Sequence, residues 1–470
     1  MEPTMIDHLS DPSRPVRGFD VVVVGAGPGG EVAAGRLAEA GLEVAIVEDR
    51  KVGGECSYWA CMPSKALLRP GELLAEARRV PGTAEAVTGP LDRAAVLRRR
   101  DEIVNGLDDS AQLPWLEERG ITLFRGWGRL AGEKRVVVGD ETLEARRAVI
   151  LAGGTAPALP PIDGLADARP WTNREATTAP AVPATLVVIG GGVVGAEMSQ
   201  AYCSLGTRVI LIEGERRLLP REEVFACEQV TDALVEQGVD VRTGQKATSV
   251  HRDGDSVVVT LGDGSTVSGD ELLVAAGRTP QTSGLGLESV GIEPDGYVEV
   301  DAHGRVPGLD WLYVVGDLNG RAAFTHMAKY QAAIAADHLL GKDMAARHLA
   351  DAAGSPRVIF TDPQVAAVGH TTATAREAGL RVRVVDLPTS GNAGGSFYGR
   401  GARGTSRFLI DEERGVIVGA TITGSEVADF LHAATIAIVG EVPLTRLRHA
   451  IPAFPTRSEI WLYLFNELGM

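Results

Sequence analysis

Two cysteines separated by four residues carry the clearest chemical signal in the chain. Cys56 and Cys61 lie within KVGGECSYWACMPSK, residues 51–65. On an ideal helix their Cα atoms would lie about 8.5 Å apart, whereas a disulfide tolerates roughly 4.4 to 6.8 Å. A bond between them therefore requires a distorted turn, and distorted geometry makes a disulfide easier to reduce. The spacing predicts a redox-active pair rather than a structural bridge.

The other cysteines carry no comparable signal. Four cysteines in 470 residues are too few for a disulfide framework. Cys203 and Cys227 stand in no such motif and are predicted to be ordinary thiols. Pro63 suits the first turn of a helix predicted from Ser64 onward.

A nucleotide-binding pattern stands immediately before the cysteines. FDVVVVGAGPGG predicts a buried parallel strand that breaks into a glycine-rich turn. The helix EVAAGRLAEAG and a second strand, LEVAIVE, follow, and Glu48 ends that strand. This order is the dinucleotide fingerprint: a strand, a glycine-rich turn, a helix, and a second strand that ends in an acidic residue. In this fingerprint the pyrophosphate lies at the N-terminus of the helix. Its three glycines are Gly25, Gly27 and Gly30.

The same pattern recurs about 165 residues later in ATLVVIGGGVVGAEMSQAYCSLGTRVILIE. Here Glu213 ends the second strand, and the glycine positions are Gly190, Gly192 and Gly195. One GxGxxG is weak evidence, but two complete copies in a strand-turn-helix-strand context are strong. The sequence therefore predicts an α/β protein with two Rossmann-like domains.

The remaining segments divide the chain further. The short strands AVILAGGTAP and ELLVAAGRTP end in small residues, among them Gly154 and Gly277, where the chain leaves each nucleotide domain. DWLYVVGDLNG predicts a buried strand ending at Asp317, and FTHMAKYQAAIAADHLLG predicts the next helix. From about residue 351 alternating strands predict an antiparallel sheet with helices, an α+β domain.

Composition excludes two classes of partner. The net charge of −16, from 46 basic and 62 acidic residues, would repel a nucleic acid backbone. No run approaches the roughly 20 apolar residues of a membrane span, and the N-terminus lacks a signal-peptide pattern. We expect a cytoplasmic protein with no nucleic acid partner, no membrane association and no metal site.

These motifs resemble the pyridine nucleotide-disulfide oxidoreductases, the family of dihydrolipoamide dehydrogenase, glutathione reductase and mercuric reductase, from about residue 18 to 470. The resemblance implies FAD at the first fingerprint, a nicotinamide cofactor at the second, and a homodimer formed through the third domain. Residues 1–17 are polar, contain prolines and lack periodicity, which predicts a disordered lead. The organisation implied for the rest is an FAD domain at 18–160 and 281–350, an NAD(P) domain at 161–280, and a dimerisation domain at 351–470. The implied cofactor-binding residues are Gly25, Gly27, Gly30, Glu48, Gly154, Asp317, Thr325, His326, Gly190, Gly192, Gly195, Glu213 and Gly277.

The resemblance also assigns catalytic roles. Cys61 would face the flavin, and Cys56 would exchange with the substrate. Lys65 matches the family lysine beside the flavin, and Glu197 matches the glutamate paired with it. A carboxylate at Glu213 favours NAD(H) over NADP(H), because it accepts hydrogen bonds from the ribose diol and repels a 2′-phosphate. Arg216 and Arg217 could partly offset that preference.

The chain departs from the family pattern near its C-terminus. IPAFPTRSEIW has Phe454 where the family has its acid-base histidine, although Glu459, which would orient that histidine, is retained. Phenylalanine cannot exchange a proton. His449 could act as a displaced base, the substrate could supply a leaving thiol of low pKa, or the acceptor could take electrons directly from the flavin.

The sequence thus predicts an FAD-dependent oxidoreductase moving electrons between NAD(P)H and a small-molecule disulfide or dithiol through Cys56 and Cys61. A quinone or dye reductase working from the flavin is the alternative enzyme. A non-catalytic redox sensor or scaffold that binds FAD and NAD is the remaining hypothesis.

Overall fold

The computed structural model describes residues 15–342, 350 and 354–470. The chain forms two compact units that interleave along the sequence. Unit 1 comprises Met1–Cys61, Val104–Ala156 and Arg278–Asp351, and unit 2 comprises Met62–Ile103, Pro157–Gly277 and Ala352–Met470. The mixed α/β architecture confirms the predicted fold class.

Unit 1 is built on a seven-stranded sheet. Its central strands are apolar along their length, as expected for parallel strands covered on both faces. The strands run in the order β3-β2-β1-β6-β5-β4, and β16 pairs with β6. Their bounds are β1 Val16–Val24, β2 Val44–Glu48, β3 Thr122–Arg125, β4 Gly128–Leu130, β5 Arg135–Val138, β6 Glu141–Leu151 and β16 Leu312–Val314.

The helices of unit 1 cover this sheet, and two apolar clusters fill its faces. The helices are α1 Pro28–Glu39, α2 Gly54–Tyr58, α5 Leu113–Glu118 and α9 Thr325–Leu339. Helix α3, Cys61–Arg79, begins at the last residue of the first unit 1 segment. Two short strands, β7 Thr155–Pro157 and β15 Arg278–Pro280, pair with each other. In the sequence they stand before and after the segment that contains the second glycine fingerprint.

The first strand is longer than the sequence predicted. Val16 and Arg17, assigned to a disordered lead, pair with Thr142 and Leu143 of β6. Strand β6 extends beyond the buried core, and its backbone N–H and C=O groups pair with those of Val16 and Arg17. The apolar pattern that begins at Phe19 did not predict this pairing. The rest of the predicted lead, residues 1–14, lies outside the described residues.

The nucleotide-binding part of unit 2 repeats the parallel architecture. Its four-stranded parallel sheet has the order β10-β9-β8-β14, and β11, β12 and β13 form an antiparallel sheet beside it. The strands are β8 Thr185–Ile189, β9 Arg208–Glu213, β10 Asp240–Thr243, β11 Ala247–Asp253, β12 Ser256–Leu261, β13 Thr266–Gly269 and β14 Glu271–Val274. The helices are α4 Arg93–Ile103, α6 Asn173–Thr178, α7 Val193–Ser204 and α8 Val224–Glu236.

The C-terminal part of unit 2 is the predicted α+β region. A five-stranded antiparallel sheet has the order β17-β18-β21-β20-β19, and apolar residues of this sheet and its helices form one core. The strands are β17 Arg357–Ile359, β18 Gln364–Gly369, β19 Val382–Pro388, β20 Thr405–Asp411 and β21 Val416–Gly424. The helices are α10 Thr372–Glu377, α11 Val427–Phe430, α12 His432–Val439, α13 Leu444–Leu447 and α14 Ile460–Leu468. Across the described residues, we find no helix with the length and apolarity to span a bilayer.

Candidate active site

Both glycine-rich turns have the same backbone geometry. A methyl group at Gly30 would lie 1.9 Å from the carbonyl oxygen of Gly25, and one at Gly195 would lie 1.8 Å from that of Gly190. Any side chain at either position would therefore separate the strand from the helix that follows it. The close strand-to-helix approach leaves helix N-terminal N–H groups free to bind a pyrophosphate. Both turns fit a dinucleotide.

The two acidic strand ends are fixed by hydrogen bonds to their own turns. Glu48 is buried, and its carboxylate accepts from the backbone N–H groups of Ala26 at 2.7 Å, Arg50 at 2.9 Å and Lys51 at 3.2 Å. Burial raises the pKa of Glu48 above its ordinary value. These bonds hold the carboxylate beside the turn, where a ribose would bind.

Glu213 repeats this arrangement in unit 2. Its carboxylate accepts from the N–H of Gly191 and, at 2.7 Å, from that of Glu215. Gly192, the second glycine of this turn, has open space where a side chain would be, and so does Gly277 after β14. The carboxylate, the turn and this open surface are the features that a nicotinamide dinucleotide requires.

The cysteine segment approaches the first turn through two glycines. Gly53 and Gly54 have positive φ values of 106° and 61°, and a methyl group at Gly54 would lie 2.7 Å from the Cα of Gly27. The Gly53 N–H donates to the Ala26 carbonyl at 2.8 Å. Both glycines are therefore needed for α2 to lie against the first nucleotide turn.

The helix breaks between the two cysteines. Cys56 lies in α2, Trp59 ends that helix with φ −134° and ψ 0°, and α3 begins at Cys61. This break is the distorted turn that the spacing predicted. The regular helix begins at Cys61 rather than at Ser64, so Pro63 lies in its first turn.

The two thiols lie together beside the N-terminus of α9. Both are reduced and half-buried, and the Cys61 Sγ lies 3.4 Å from the Thr325 Oγ1. A hydrogen bond with Cys61 raises the pKa of Cys56, and burial raises it further. The Thr325 hydroxyl and the Lys329 ammonium group oppose this rise.

The other predicted flavin-side residues of unit 1 lie on neighbouring segments. Asp317 lies in a 3₁₀ turn, Gly316–Asn319, rather than at the end of β16, and its carboxylate accepts from the Thr155 hydroxyl at 2.8 Å. Gly154 precedes Thr155 with a positive φ of 69° and open space around its Cα. His326 is exposed and stacks on Phe324 at 5.3 Å between ring centroids.

Lys65 and Glu197 form an ion pair in unit 2. The Lys65 Nζ donates to Glu197 at 2.8 Å and lies 4.7 Å from the centroid of the Phe360 ring. The second Glu197 oxygen accepts from the Phe360 N–H at 2.9 Å. Glu197 is 3% exposed, so both carboxylate oxygens are satisfied where an unpaired charge would be costly.

The C-terminal segment of unit 2 has an exposed ring and an unsatisfied carboxylate. Phe454 is 76% exposed. The Glu459 Oε2 is buried and has no hydrogen-bond partner among the residues the structure describes. The backbone beside them is held by Gly394, where a methyl group would lie 2.1 Å from the Thr456 carbonyl carbon, and by the Arg457 guanidinium group over the Tyr398 ring at 4.0 Å.

Sequence reasoning missed two charged residues: Lys329, which interacts electrostatically with Cys56, and Glu31, which interacts with Lys329. Glu31 lies in the first turn of α1, and burial raises its pKa to about 7 against the opposing effect of Lys329. Each residue alone resembles an ordinary charge on a helix surface. The glutamate immediately after the third fingerprint glycine was the one available signal.

Two family models match this chain. The model of the pyridine nucleotide-disulphide oxidoreductases matches residues 19–335, and the model of their dimerisation domain matches residues 355–464. The chain belongs to the pyridine nucleotide-disulphide oxidoreductases. It is an NAD(P)H:disulfide oxidoreductase-like flavoenzyme of a family that binds FAD and a pyridine nucleotide, and its dimerisation domain indicates a homodimer.

Similar proteins cover nearly the whole chain. The dihydrolipoyl dehydrogenase of Bacillus subtilis is 33% identical, over 94% of this chain and 94% of its own length. The mercuric reductase of Staphylococcus aureus is 29% identical, over 94% of this chain and 81% of its own length. The crystal structure of LpdA from Mycobacterium tuberculosis has a TM-score of 0.84 and 26% identity, covering 95% of this chain and 99% of that one.

The first turn gives a direct test of cofactor placement. We expect Gly30→Ala to lose bound flavin at least about tenfold, because its methyl group would collide with the Gly25 carbonyl oxygen. The ratio of flavin absorbance to protein absorbance in the purified protein measures this loss. Gly89→Ala is the control, since Gly89 has open space around it. Full flavin content in Gly30→Ala would show that this turn does not hold the cofactor.

Proposed function

We propose that this protein uses NAD(P)H to reduce a small-molecule disulfide, or runs the reverse oxidation of a dithiol, through Cys56 and Cys61. The observation that carries the proposal is the pair of neighbouring reduced thiols on a broken helix, docked against a dinucleotide turn. Similarity to dihydrolipoyl dehydrogenases and to a mercuric reductase supports the same chemistry.

The proposed cofactor sites follow the two fingerprints. FAD would be held by the first turn, Glu48 and Asp317, and when bound it supplies two-electron transfer between the nicotinamide and the thiols. The nicotinamide dinucleotide would be held by the second turn and Glu213. Gly154, Thr325 and His326 complete the proposed flavin side, and Gly277 completes the nicotinamide side.

The two cysteines would have different tasks. Cys61 would be the thiol on the cofactor side, the role that the family resemblance gives it, and its Sγ lies 3.4 Å from the Thr325 Oγ1 at the N-terminus of α9. Cys56 would attack the substrate and form the mixed disulfide. Attack by Cys61 on Cys56 then releases the second substrate thiol and closes the Cys56–Cys61 bond.

Lys65 would supply a fixed positive charge in the same machinery. Its ion pair with the buried Glu197 and its position over the Phe360 ring restrict the side chain to one orientation. Lys65 follows Cys61 by four positions along α3, one helical turn. We assign Lys65 as the cation that stabilises negative charge during electron transfer and Glu197 as the residue that positions it.

A second candidate function is the direct reduction of quinones or dyes from the flavin. Phe454 favours it, because the residue at the family's acid-base position cannot exchange a proton. His449 is exposed and forms no side-chain hydrogen bond among the described residues, so nothing orients it as a replacement base. In this function the cysteines would be auxiliary.

Cys56→Ser separates the two candidates. We expect NADH-driven disulfide turnover to fall by more than about a thousandfold, because serine does not form a mixed disulfide. Turnover with a panel of disulfides and with a quinone should be measured for the variant and for Cys203→Ser, a thiol outside the motif. Disulfide turnover that survives in Cys56→Ser would contradict the proposal. A wild-type protein that reduces quinones and no disulfide would establish the second candidate.

We also propose that NADH is preferred over NADPH. The Glu213 carboxylate is held at the end of β9 by the N–H groups of Gly191 and Glu215. A fixed carboxylate accepts the hydroxyl protons of an unmodified ribose and repels a 2′-phosphate. Arg216 and Arg217 are exposed and would only partly offset this repulsion.

Glu213→Gln tests this preference. We expect the ratio of kcat/KM for NADH to that for NADPH to fall at least about tenfold, because a charged hydrogen bond to the ribose is lost and a repulsion is removed. Steady-state kinetics with a dye acceptor measure the ratio independently of the disulfide substrate. Glu215→Gln, which alters an exposed neighbouring charge, should leave it unchanged. An unchanged ratio in Glu213→Gln would assign cofactor choice to other residues.

A further inference from the structure

Three segments of unit 1 converge at the cysteine pair. They are the first turn of α1, the short helix α2 that carries Cys56, and the first turns of α9. Helices α1 and α9 pack closely, since a methyl group at Gly29 would lie 3.4 Å from the Ala328 Cβ. Helix α2 reaches the same place through the close approach of Gly54 to Gly27.

Lys329 lies on the face of α9 that the cysteines contact. Thr325 is 3.4 Å from the Cys61 Sγ, and Lys329 follows it by four positions, which places their Cβ atoms about 6 Å apart on one helix face. The Lys329 side chain is exposed and forms no hydrogen bond or ion pair among the described residues. Its ammonium group interacts electrostatically with both Cys56 and Glu31.

Glu31 lies opposite Lys329 across the contact between α1 and α9. Its carboxyl group is half-buried and has no hydrogen-bond or ion-pair partner among the described residues. The ionisable groups around it are Lys329 on α9, Glu48 at the end of β2 and Tyr58 on α2. Lys329 interacts with both Glu31 and Cys56, and Tyr58 follows Cys56 by two residues on α2, so Glu31 shares its surroundings with the thiol. A carboxyl group without a direct partner in such a partly buried position has the character of an acid-base residue.

We propose that Glu31 exchanges the proton of Cys56 during thiol-disulfide exchange, and that Lys329 is the cation that stabilises the Cys56 thiolate. This inference rests on the proposed disulfide chemistry for its role in turnover. It supplies, within one subunit, the proton transfer that Phe454 cannot perform. The burial that raises the pKa of Glu31 to about 7 suits this task, because such a group accepts and returns a proton near neutral pH.

The proposed exchange conserves atoms, protons and electrons. In the proposed step the Glu31 carboxylate takes the Cys56 proton, and the thiolate attacks one sulfur of the substrate disulfide. The substrate S–S bond breaks, a Cys56-substrate disulfide forms, and the leaving thiolate takes the proton back from Glu31. The Cys61 thiol then attacks Cys56, and its proton leaves with the second substrate thiolate. The dithiol is oxidised and the substrate disulfide is reduced by two electrons.

Alkylation of Cys56 tests the pair without any substrate. The protein, reduced with dithiothreitol and freed of excess reductant, is treated with iodoacetamide from pH 5 to 9, and Cys56 modification is followed by mass spectrometry. We expect Lys329→Met to slow alkylation at pH 7 about tenfold, equivalent to a rise of one unit in the thiol pKa. Lys329→Arg should retain the wild-type rate, because the positive charge remains.

Glu31→Gln separates proton transfer from simple electrostatics. Removal of a nearby carboxylate lowers the pKa of Cys56, so alkylation of Cys56 at pH 8 should be several times faster than in the wild type. Disulfide turnover should nevertheless fall about a hundredfold, and the rise of kcat/KM with pH through about 7 should disappear. A residue that acted only through its charge would speed both reactions.

The controls are matched to the same two helices. Glu39→Gln alters the exposed last residue of α1, and Lys342→Met alters an exposed lysine just after α9. Both should leave the alkylation and turnover profiles at wild-type values, and far-UV circular dichroism and flavin content check folding in every variant.

Unchanged Cys56 alkylation in both Glu31→Gln and Lys329→Met would overturn the inference, as would wild-type turnover in Glu31→Gln. If the wild type reduces no disulfide, the proposed function fails separately, and alkylation alone decides whether the pair controls Cys56.

Discussion

The close approach of two glycine backbones determines where the thiols lie. Gly27 belongs to the turn fixed between β1 and α1, and Gly54 begins the helix that carries Cys56, with no room for a methyl group between them. The positive φ angles of Gly53 and Gly54 allow the chain to turn into this contact at no steric cost. Because the turn is rigid, α2 has one place to dock, and both thiols are fixed beside α9. A redox pair built on two packed elements is held more accurately than one on a free loop.

The glycine-rich turn has the same geometry in both units, and each turn fixes one acidic side chain at the end of the strand that follows. Glu48 and Glu213 each use carboxylate oxygens to accept backbone N–H groups of the turn that precedes their strand. These bonds fix the side-chain conformation before any nucleotide binds, so little side-chain entropy remains to be lost on binding. The two sites differ in burial, since Glu48 is 7% exposed and Glu213 is only partly buried. Glu213 is therefore the more accessible of the two carboxylates.

The sequence predicted the features that depend on local backbone geometry. Two glycine fingerprints and apolar strands identified the parallel sheets, and the spacing of Cys56 and Cys61 anticipated a broken helix. The pairing of Lys65 with Glu197 followed the family resemblance and appears in the structure, whereas the functional roles of these residues remain predictions. Glu31 could not be found this way, because its burial and its proximity to Lys329 arise from packing between helices about 300 residues apart. A contact between two helices that are far apart in the sequence leaves no recognisable pattern within either segment alone.

The C-terminal segment shows why a phenylalanine is tolerated where the family has a histidine. Its backbone is anchored by Arg457, which donates to the carbonyls of Ser425 and Glu426, and by close packing on Gly394. None of these contacts uses the side chain of Phe454, so the segment keeps its structure whatever that side chain can do chemically.

Proton exchange at Cys56 does not depend on the C-terminal segment either. It requires an ionisable group near Cys56 with a pKa near the working pH, and partial burial of a carboxyl group opposite an ammonium group meets that requirement. The packing of α1 on α9 creates such a place without any contribution from the C-terminal segment, and this separation is the physical reason to locate the missing proton transfer at Glu31.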